Sequence, residues 1–319
     1  MAGAIAGTAI LKIKGVQDKL DTITLTINNE CNMQCRHCYL QYVSSKRIID
    51  DSVLESIFES EFRHLVVVGK EPLVNRDSIN KVCEIVELCR KAGHSVSFVT
   101  NGLNLSLLPS EIIPQIDYID VSFDGGALSY DRFRKGNLSK ILEGIQYCLS
   151  QGLKEVNALH TICSQTIDNI TDCINLNSFV PFSTILFTPY LITHNQGKNT
   201  VSAIPLTEII SRLGSNETFN NTEGTLLLID NYHIEQDGIS VVDLHKALAD
   251  VKYKNKYRIV EEDPICYGIL RVTYDGLILS PRQSLHTAFY HKAPSVFQQN
   301  DLNLAFRELR NLEIKPNGD

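Results

Sequence analysis

Hydrophobic and polar positions along the chain keep exchanging two periods. Residues 21–27 (DTITLTI) set β-branched and polar positions in alternation, which predicts a strand. Residues 47–60 then take helical spacing, and Leu65-Val66-Val67-Val68 is a short continuous apolar run, the pattern of a buried strand. Apolar residues at Ile79, Val82, Ile85, Val86 and Leu88 predict a helix over 76–92, with Gly93 as its C-terminal cap. Strands are predicted at 95–99, 116–123, 154–162 and 182–188, and helices at 137–151 and 167–178. Strand–helix units repeated in this way imply a parallel sheet. Beyond residue 190 the pattern weakens. It predicts a helix over 205–213, a loop over 214–224, a strand over 225–229, a hairpin turning at Asp275-Gly276 and a last helix over 300–313.

Composition narrows the class. Of 319 residues, 43% are hydrophobic and 21% charged, which suits a folded chain with a sizeable core. The formal net charge of -7 gives no electrostatic reason to expect nucleic acid, because nonspecific binders present a basic face. The basic stretch Lys252, Lys254, Lys256 and Arg258 alternates with tyrosines and runs into Glu261, Glu262 and Asp263, so it reads chiefly as solvated surface, with a partner contact as the alternative. No run of 18 apolar residues exists, so no membrane span is expected. The first residues lack the basic start and long apolar run of a signal peptide, and a cytoplasmic location is the expectation.

The cysteines change the picture most. There are nine, an odd number, and the pattern suits a reducing compartment with one metal site. Cys83, Cys89, Cys148 and Cys173 fall in apolar periodic stretches and read as core thiols. Cys31, Cys35 and Cys38 instead sit together in one loop after the first predicted strand. Soft thiolates at this spacing suit an iron–sulfur cluster, and also zinc. Three thiolates would leave the fourth iron of a [4Fe–4S] cube open to another ligand. A structural zinc ion wants four protein ligands. His37 is the candidate fourth, although its adjacency to Cys38 makes joint ligation awkward.

Cys31-x-x-x-Cys35-x-x-Cys38, followed by the aromatic Tyr39, resembles the signature of the radical S-adenosylmethionine (SAM) superfamily. The resemblance implies one [4Fe–4S] cluster on Cys31, Cys35 and Cys38, with SAM on the open iron and Tyr39 among the cofactor contacts. It implies reductive cleavage of SAM to a 5′-deoxyadenosyl radical that takes hydrogen from a substrate, the cofactor carrying the hard chemistry. It also implies a flavodoxin- or ferredoxin-like electron donor. Gly69-Lys70-Glu71-Pro72 resembles the family's Gly-Gly-Glu-Pro loop, with Lys70 in place of the second glycine. In relatives the backbone of this loop holds the SAM amino group, so a side chain at Lys70 is expected to be tolerated. Thr100-Asn101-Gly102 resembles the turn after the third strand and brings Asn101 to the cofactor end.

Ser122-Phe123-Asp124-Gly125 resembles the Ser-x-Asp-Gly turn of members that modify peptides and natural products. It implies Ser122 as a SAM contact and Asp124 as a substrate or cofactor contact. Either can instead cap the following segment. Tyr130, Arg132 and Arg134 read as substrate contacts or as a solvated helix surface. The six strand–helix units resemble the family's partial (β/α)6 TIM-like barrel. Active residues should then gather at the C-terminal strand ends, which places Cys31, Glu71, Asn101, Ser122, His160 and Tyr190 around one cavity. The polar segment 194–199 reads equally as a substrate loop or an ordinary surface loop.

Farther on, Cys266-Tyr267-Gly268 and the hairpin are similar to the start of SPASM or Twitch domains, which bind auxiliary clusters. No cysteine follows Cys266. The expectation is a small Twitch-like α+β extension without a second cluster. The expected organisation is an N-terminal extension at 1–20, the barrel at 21–200 and a substrate-covering extension at 201–319. His286, Tyr290 and His291 in that extension line the cavity or its surface.

A thiol is a good hydrogen-atom donor to a carbon radical, as radical SAM epimerases use it. Cys266 is the first candidate for that role and Cys163 the competing one, with a plain core thiol as the alternative for both. The favoured reaction is hydrogen abstraction from a peptide or small natural product, with epimerisation as one outcome. The alternatives are decarboxylation, elimination or dehydrogenation of a sugar, aminoglycoside or nucleoside, and a metal-binding protein without catalysis.

Overall fold

The computed structural model describes residues 8–38, 46–124, 130–192, 201–285, 293–296, 298 and 301–314. Ten strands form one sheet: β1 Thr22–Thr26, β2 His64–Val68, β3 Ser95–Thr100, β4 Tyr118–Ser122, β5 Val156–Ile162, β6 Thr184–Pro189, β7 Thr225–Asp230, β8 Tyr257–Val260, β9 Ile269–Val272 and β10 Ile278–Leu279. Their order is β10-β9-β1-β2-β3-β4-β5-β6-β7-β8, and every pair is parallel except β9 with β10. Helices cross between the parallel strands, giving the partial (β/α) barrel that the alternating pattern implies.

The six expected barrel strands are all present, as is the later strand expected over 225–229, and the sheet runs past the six at both ends. β7 and β8 continue it beyond β6, while β9 lies parallel to β1 on the other side. The hairpin turn at Asp275-Gly276 returns the chain into β10, with Thr273 N–H donating to Leu277 O at 3.0 Å. Two helices, Asn231–Asp237 and Val241–Ala249, and the strand β8 carry weak sequence signals. The first starts from a capping box in which His233 takes the place usually held by Glu or Gln. β8 is an edge strand with an exposed Arg258. Just before it, Lys256 is buried rather than solvated, its Nζ reaching Thr222 O at 2.5 Å and Thr225 Oγ1 at 2.6 Å.

Register sorts the two faces of the sheet. Ile23, Leu25, Leu65, Val67, Val96 and Phe98 form an apolar face beneath the helices. The helix Arg76–Ala92 covers part of it with Ile79, Val82, Ile85, Val86 and Cys89. The opposite face carries Thr22, Thr24, Thr26, His64, Ser97, Tyr118, Asp120 and Asn157, all polar and all buried, and is the barrel interior.

The N-terminal segment closes one end of this interior. Thr8 donates from N and Oγ1 to the Asp120 carboxylate at 2.8 and 2.9 Å, and Asn157 Nδ2 donates to it at 3.0 Å. Beside them the His64 ring bonds to Ser95, Ser97 and Tyr118 hydroxyls at 2.7, 2.9 and 3.0 Å. These groups lie at the N-terminal ends of the strands. The C-terminal end is left for the loops that carry the sequence motifs.

Candidate active site

The cysteine loop follows β1. The β1 extension is held by Ile27 N–H donating to Val68 O at 2.8 Å and by a bridge between Asn28 and Ile48. Cys31, Cys35 and Cys38 are each half-buried, unlike Cys89, Cys148, Cys163, Cys173 and Cys266, which are buried. Met33 N–H points to Cys31 Sγ at 3.4 Å, and Cys35 Sγ donates to Arg134 O at 3.7 Å. Burial, aided by the Glu71 charge, pushes the Cys31 thiol up to about 12, and burial also raises Cys35. Without a cation these groups are thiols, and it takes a bound metal to make them thiolates. No three His, Cys, Asp or Glu side chains among the described residues gather as a single metal ion requires. His37, the candidate fourth zinc ligand, turns to Asp124 instead. Its Nε2 lies 3.1 Å from Asp124 Oδ2, and its ring stacks on Phe133 at 4.7 Å. Tyr39 lies outside the described residues.

The loop after β2 is locked to its neighbours by Glu71. Its carboxylate accepts from Thr100 Oγ1 at 2.6 Å, Leu73 N at 2.9 Å and Asn101 N at 2.7 Å. Burial raises its pKa, and these three donors oppose the shift. Asn28 Nδ2 donates to Glu71 O at 2.8 Å. A Cβ at Gly69 would stand 2.6 Å from Asn28 Oδ1, so a side chain there requires Asn28 to move. Lys70 meets no such limit. Among the described residues Lys135 alone has a positive φ without being glycine, so the backbone at Lys70 suits any residue. Pro72 is buried behind the loop.

Asn101 ties this loop to the cysteines. Its Nδ2 donates to Asn32 Oδ1 at 2.8 Å and approaches Cys31 Sγ at 3.8 Å, while its Oδ1 accepts from Leu103 N at 2.9 Å. Gly102 makes the turn possible. Its φ is +83°, and a Cβ would stand 2.7 Å from Ile141 Cγ2.

At the end of β4, Ser122 is buried and its Oγ has no hydrogen-bond partner. Asp124 meets His37, the Arg134 guanidinium and the Thr161 N–H. Burial opposes charge on Asp124, but His37 and Arg134 beside it hold the carboxyl well below the usual range. Arg134 is therefore neither a solvated helix residue nor a free substrate contact. Nothing in the charged run Tyr130–Arg134 marks Arg134 as the partner of Asp124.

Two expected site residues are placed elsewhere. His160 shares a face with Phe123 and Phe187, stacking on Phe187 at 4.9 Å and meeting Phe123 edge-on. Phe187 in turn packs on Phe219 of the covering helix Glu217–Asn221, so His160 faces the helices and not the interior. Burial lowers its pKa to about 4. This corrects its expected place at the cavity. One residue of strand parity decides the face.

Cys266 is the second. It precedes β9, whose Ile269 lies beside Thr22 at the start of β1. Its carbonyl accepts from Gln17 N at 2.8 Å. The cysteine loop leaves the other end of β1, a strand roughly 13 Å long at about 3.3 Å per residue. Cys266 thus sits at the opposite end of the sheet from Cys31, Cys35 and Cys38. Cys163, just past β5, is at the same end as the loop and packs in a small cluster with Phe133, Tyr190 and Val201. The segment 194–199 and residues His286, Tyr290 and His291 lie outside the described residues.

One end of the barrel thus gathers three soft thiols, the Glu71-braced loop and Asn101. Buried polar atoms without partners lie there too: Ser122 Oγ, His37 Nδ1 and Arg134 Nε. Such atoms fit a polar ligand, and three thiols without a fourth fit a cluster with one open corner.

The comparisons agree with this geometry. Residues 25–176 match the family model described as Radical SAM superfamily. The chain is 26% identical over 179 residues to GTP 3',8-cyclase of Clostridium perfringens (strain SM101 / Type A), covering 50% of this chain and 52% of that protein. The chain spans about half the length of the curated relatives it matches. Streptococcus suis SuiB bound to its precursor peptide SuiA superposes with a TM-score of 0.62 at 13% identity, covering 94% of this chain and 66% of that one. Native anSMEcpe with bound AdoMet and the Cp18Cys peptide gives a TM-score of 0.53 at 18% identity, covering 82% and 74%. At these identities the structural likeness shows the shared fold. Among the described residues no helix is long and apolar enough to cross a membrane.

Proposed function

We propose, from the premise that residues 25–176 belong to the radical SAM superfamily, that this chain is an enzyme that reductively cleaves SAM and takes a hydrogen atom from a peptide or small natural product. The observation that carries the reading is the set of three half-buried thiols at the C-terminal end of β1, with unpartnered buried polar atoms beside them. Cys31, Cys35 and Cys38 hold a [4Fe–4S] cluster. When bound, the cluster and SAM together supply a 5′-deoxyadenosyl radical. Gly69 gives backbone access to the cofactor, Glu71 fixes the loop around it, and Asn101 and Ser122 offer polar contacts. Tyr190 packs with Cys163 at the same end of the sheet.

A peptide substrate is favoured because two likenesses that extend past the barrel, SuiB with SuiA and anSMEcpe with its peptide, are to peptide complexes. Cys163 is the thiol at the right end of the sheet for epimerisation. Its S–H bond breaks to give a hydrogen atom to the substrate carbon, and an external one-electron donor of the flavodoxin or ferredoxin type, with a solvent proton, restores the thiol.

The test is mass spectrometry of anaerobic reactions in deuterated water with a panel of peptides and nucleosides. One solvent deuterium in an otherwise unchanged product supports epimerisation. A mass loss of two hydrogens or of carbon dioxide overturns it. Turnover of a guanine nucleotide alone would favour the second reading, which rests on the sequence likeness to GTP 3',8-cyclase.

A further inference from the structure

Asp124 lies where three segments meet behind the cysteine loop. His37 Nε2 approaches it from the loop at 3.1 Å. The Arg134 guanidinium approaches from the helix Tyr130–Arg134, and the Thr161 N–H from the end of β5. The His37, Asp124 and Arg134 side chains are only 2%, 1% and 1% exposed. Oδ2 faces His37 and Arg134, and Oδ1 accepts from Thr161, so both carboxylate oxygens are committed.

The same helix grips three consecutive loop residues. Cys35 Sγ donates to Arg134 O at 3.7 Å, and Arg36 N–H to Phe133 O at 3.3 Å. The His37 ring stacks on Phe133 with an interplanar angle of 9°. Only Arg36 and His37 separate Cys35 from Cys38. A ring held on one face by Phe133 and at its edge by Asp124 therefore fixes the backbone between two of the thiols.

We propose that Asp124 is a positioning residue: with Arg134 and Phe133 it holds His37, sets the spacing of Cys35 and Cys38, and couples the end of β4 to the cluster loop. This inference rests on the reading of that loop as the cluster site. It assigns Asp124 to the loop's frame in place of direct work on SAM or substrate. Partners behind a metal ligand orient it, and losing one typically costs about 10- to 100-fold in metal affinity or activity.

The experiment uses the full chain, reconstituted anaerobically with iron and sulfide, as His37→Phe, Asp124→Asn and the double variant. His37→Phe keeps the stack on Phe133 and the Asp124–Arg134 pair, so it carries the test even where Asp124→Asn fails to fold. The readouts are the rate at which a chelator removes iron and the electron paramagnetic resonance spectrum of the reduced cluster. Each single variant should release iron about 10- to 100-fold faster and shift the spectrum. The double variant should do no more than the stronger single one. His37→Gln, which keeps a donor toward Asp124, should recover most of the parent behaviour. Variants that match the parent, or effects that multiply in the double variant, overturn the proposal alone. A parent that takes up no iron overturns the cluster reading and this one with it.

Discussion

The two ends of the barrel bury polar side chains in different ways. At the N-terminal end His64 has Ser95, Ser97 and Tyr118 as partners, and Asp120 has Thr8 and Asn157. The one unpartnered side-chain atom in that network is Asn157 Oδ1. At the C-terminal end Ser122 Oγ, His37 Nδ1 and Arg134 Nε are buried without partners. An unpaired buried polar atom costs about 1–3 kcal/mol. A satisfied network contributes to stability, whereas an unsatisfied one costs stability unless a ligand completes it. The difference supports the proposal that the second end is where a ligand binds.

The largest effect expected from breaking this contrast is at the cysteines. Cys31→Ala should abolish cluster absorbance and 5′-deoxyadenosine formation completely, as read by iron analysis and chromatography. Retention of both would remove the site from that end. The pair Cys163→Ala and Cys266→Ala sharpens it next. The first should end incorporation of solvent deuterium into product, while the second, at the opposite end, should leave it close to the parent. The reverse outcome would place the substrate at the wrong end of the sheet.

A third prediction concerns the structural end alone. Burial pushes the Asp120 carboxyl up to about 6, against the Thr8 and Asn157 bonds that lower it. A raised carboxyl contributes stability that is fully present below its unfolded value near 4 and is lost as pH rises through about 6. His64 acts in the opposite sense. Burial and the Arg63 charge lower it to about 4, so its contribution is present above about 6.5 and lost as pH falls toward 4. The parent profile mixes the two, so the prediction is a difference. From pH 4 to 7, Asp120→Asn should gain on the parent by up to about 3 kcal/mol in urea unfolding. Parallel profiles would contradict it.

The smallest effect is at Gly102. An alanine there takes a left-handed backbone and crowds Ile141, and should cost about 1–3 kcal/mol of stability. A neutral Gly102→Ala would show that the turn after β3 can relax.

What could be read from the sequence was local. The cysteine spacing, Gly69-Lys70-Glu71-Pro72 and Thr100-Asn101-Gly102 each lie in one short run, and their turn chemistry is written in adjacent residues. The six strands of the barrel were legible because each is a short run of β-branched and apolar residues, continuous in β2 and alternating with polar residues in β1 and β3. β8 was not, since an edge strand next to a tethered Lys256 looks like basic surface. His160 lies near the C-terminal end of its strand, but one residue of strand parity turns it from the interior to the helices. The hairpin at Asp275-Gly276 was visible, but its neighbour was not. Only the pairing of β9 with β1 reveals that Cys266 lies at the far end. The link from Asp124 to His37 joins residues remote in the chain, and a charged helical run gives no hint that Arg134 is buried.

The most direct test of the central claim is to measure 5′-deoxyadenosine from the anaerobically reconstituted full chain with SAM and a chemical reductant, recording the reduced cluster's electron paramagnetic resonance with and without SAM. The parent should give 5′-deoxyadenosine and Cys31→Ala none, and the parent's spectrum should change when SAM is added. A fully loaded cluster whose spectrum ignores SAM and that yields no 5′-deoxyadenosine would contradict it.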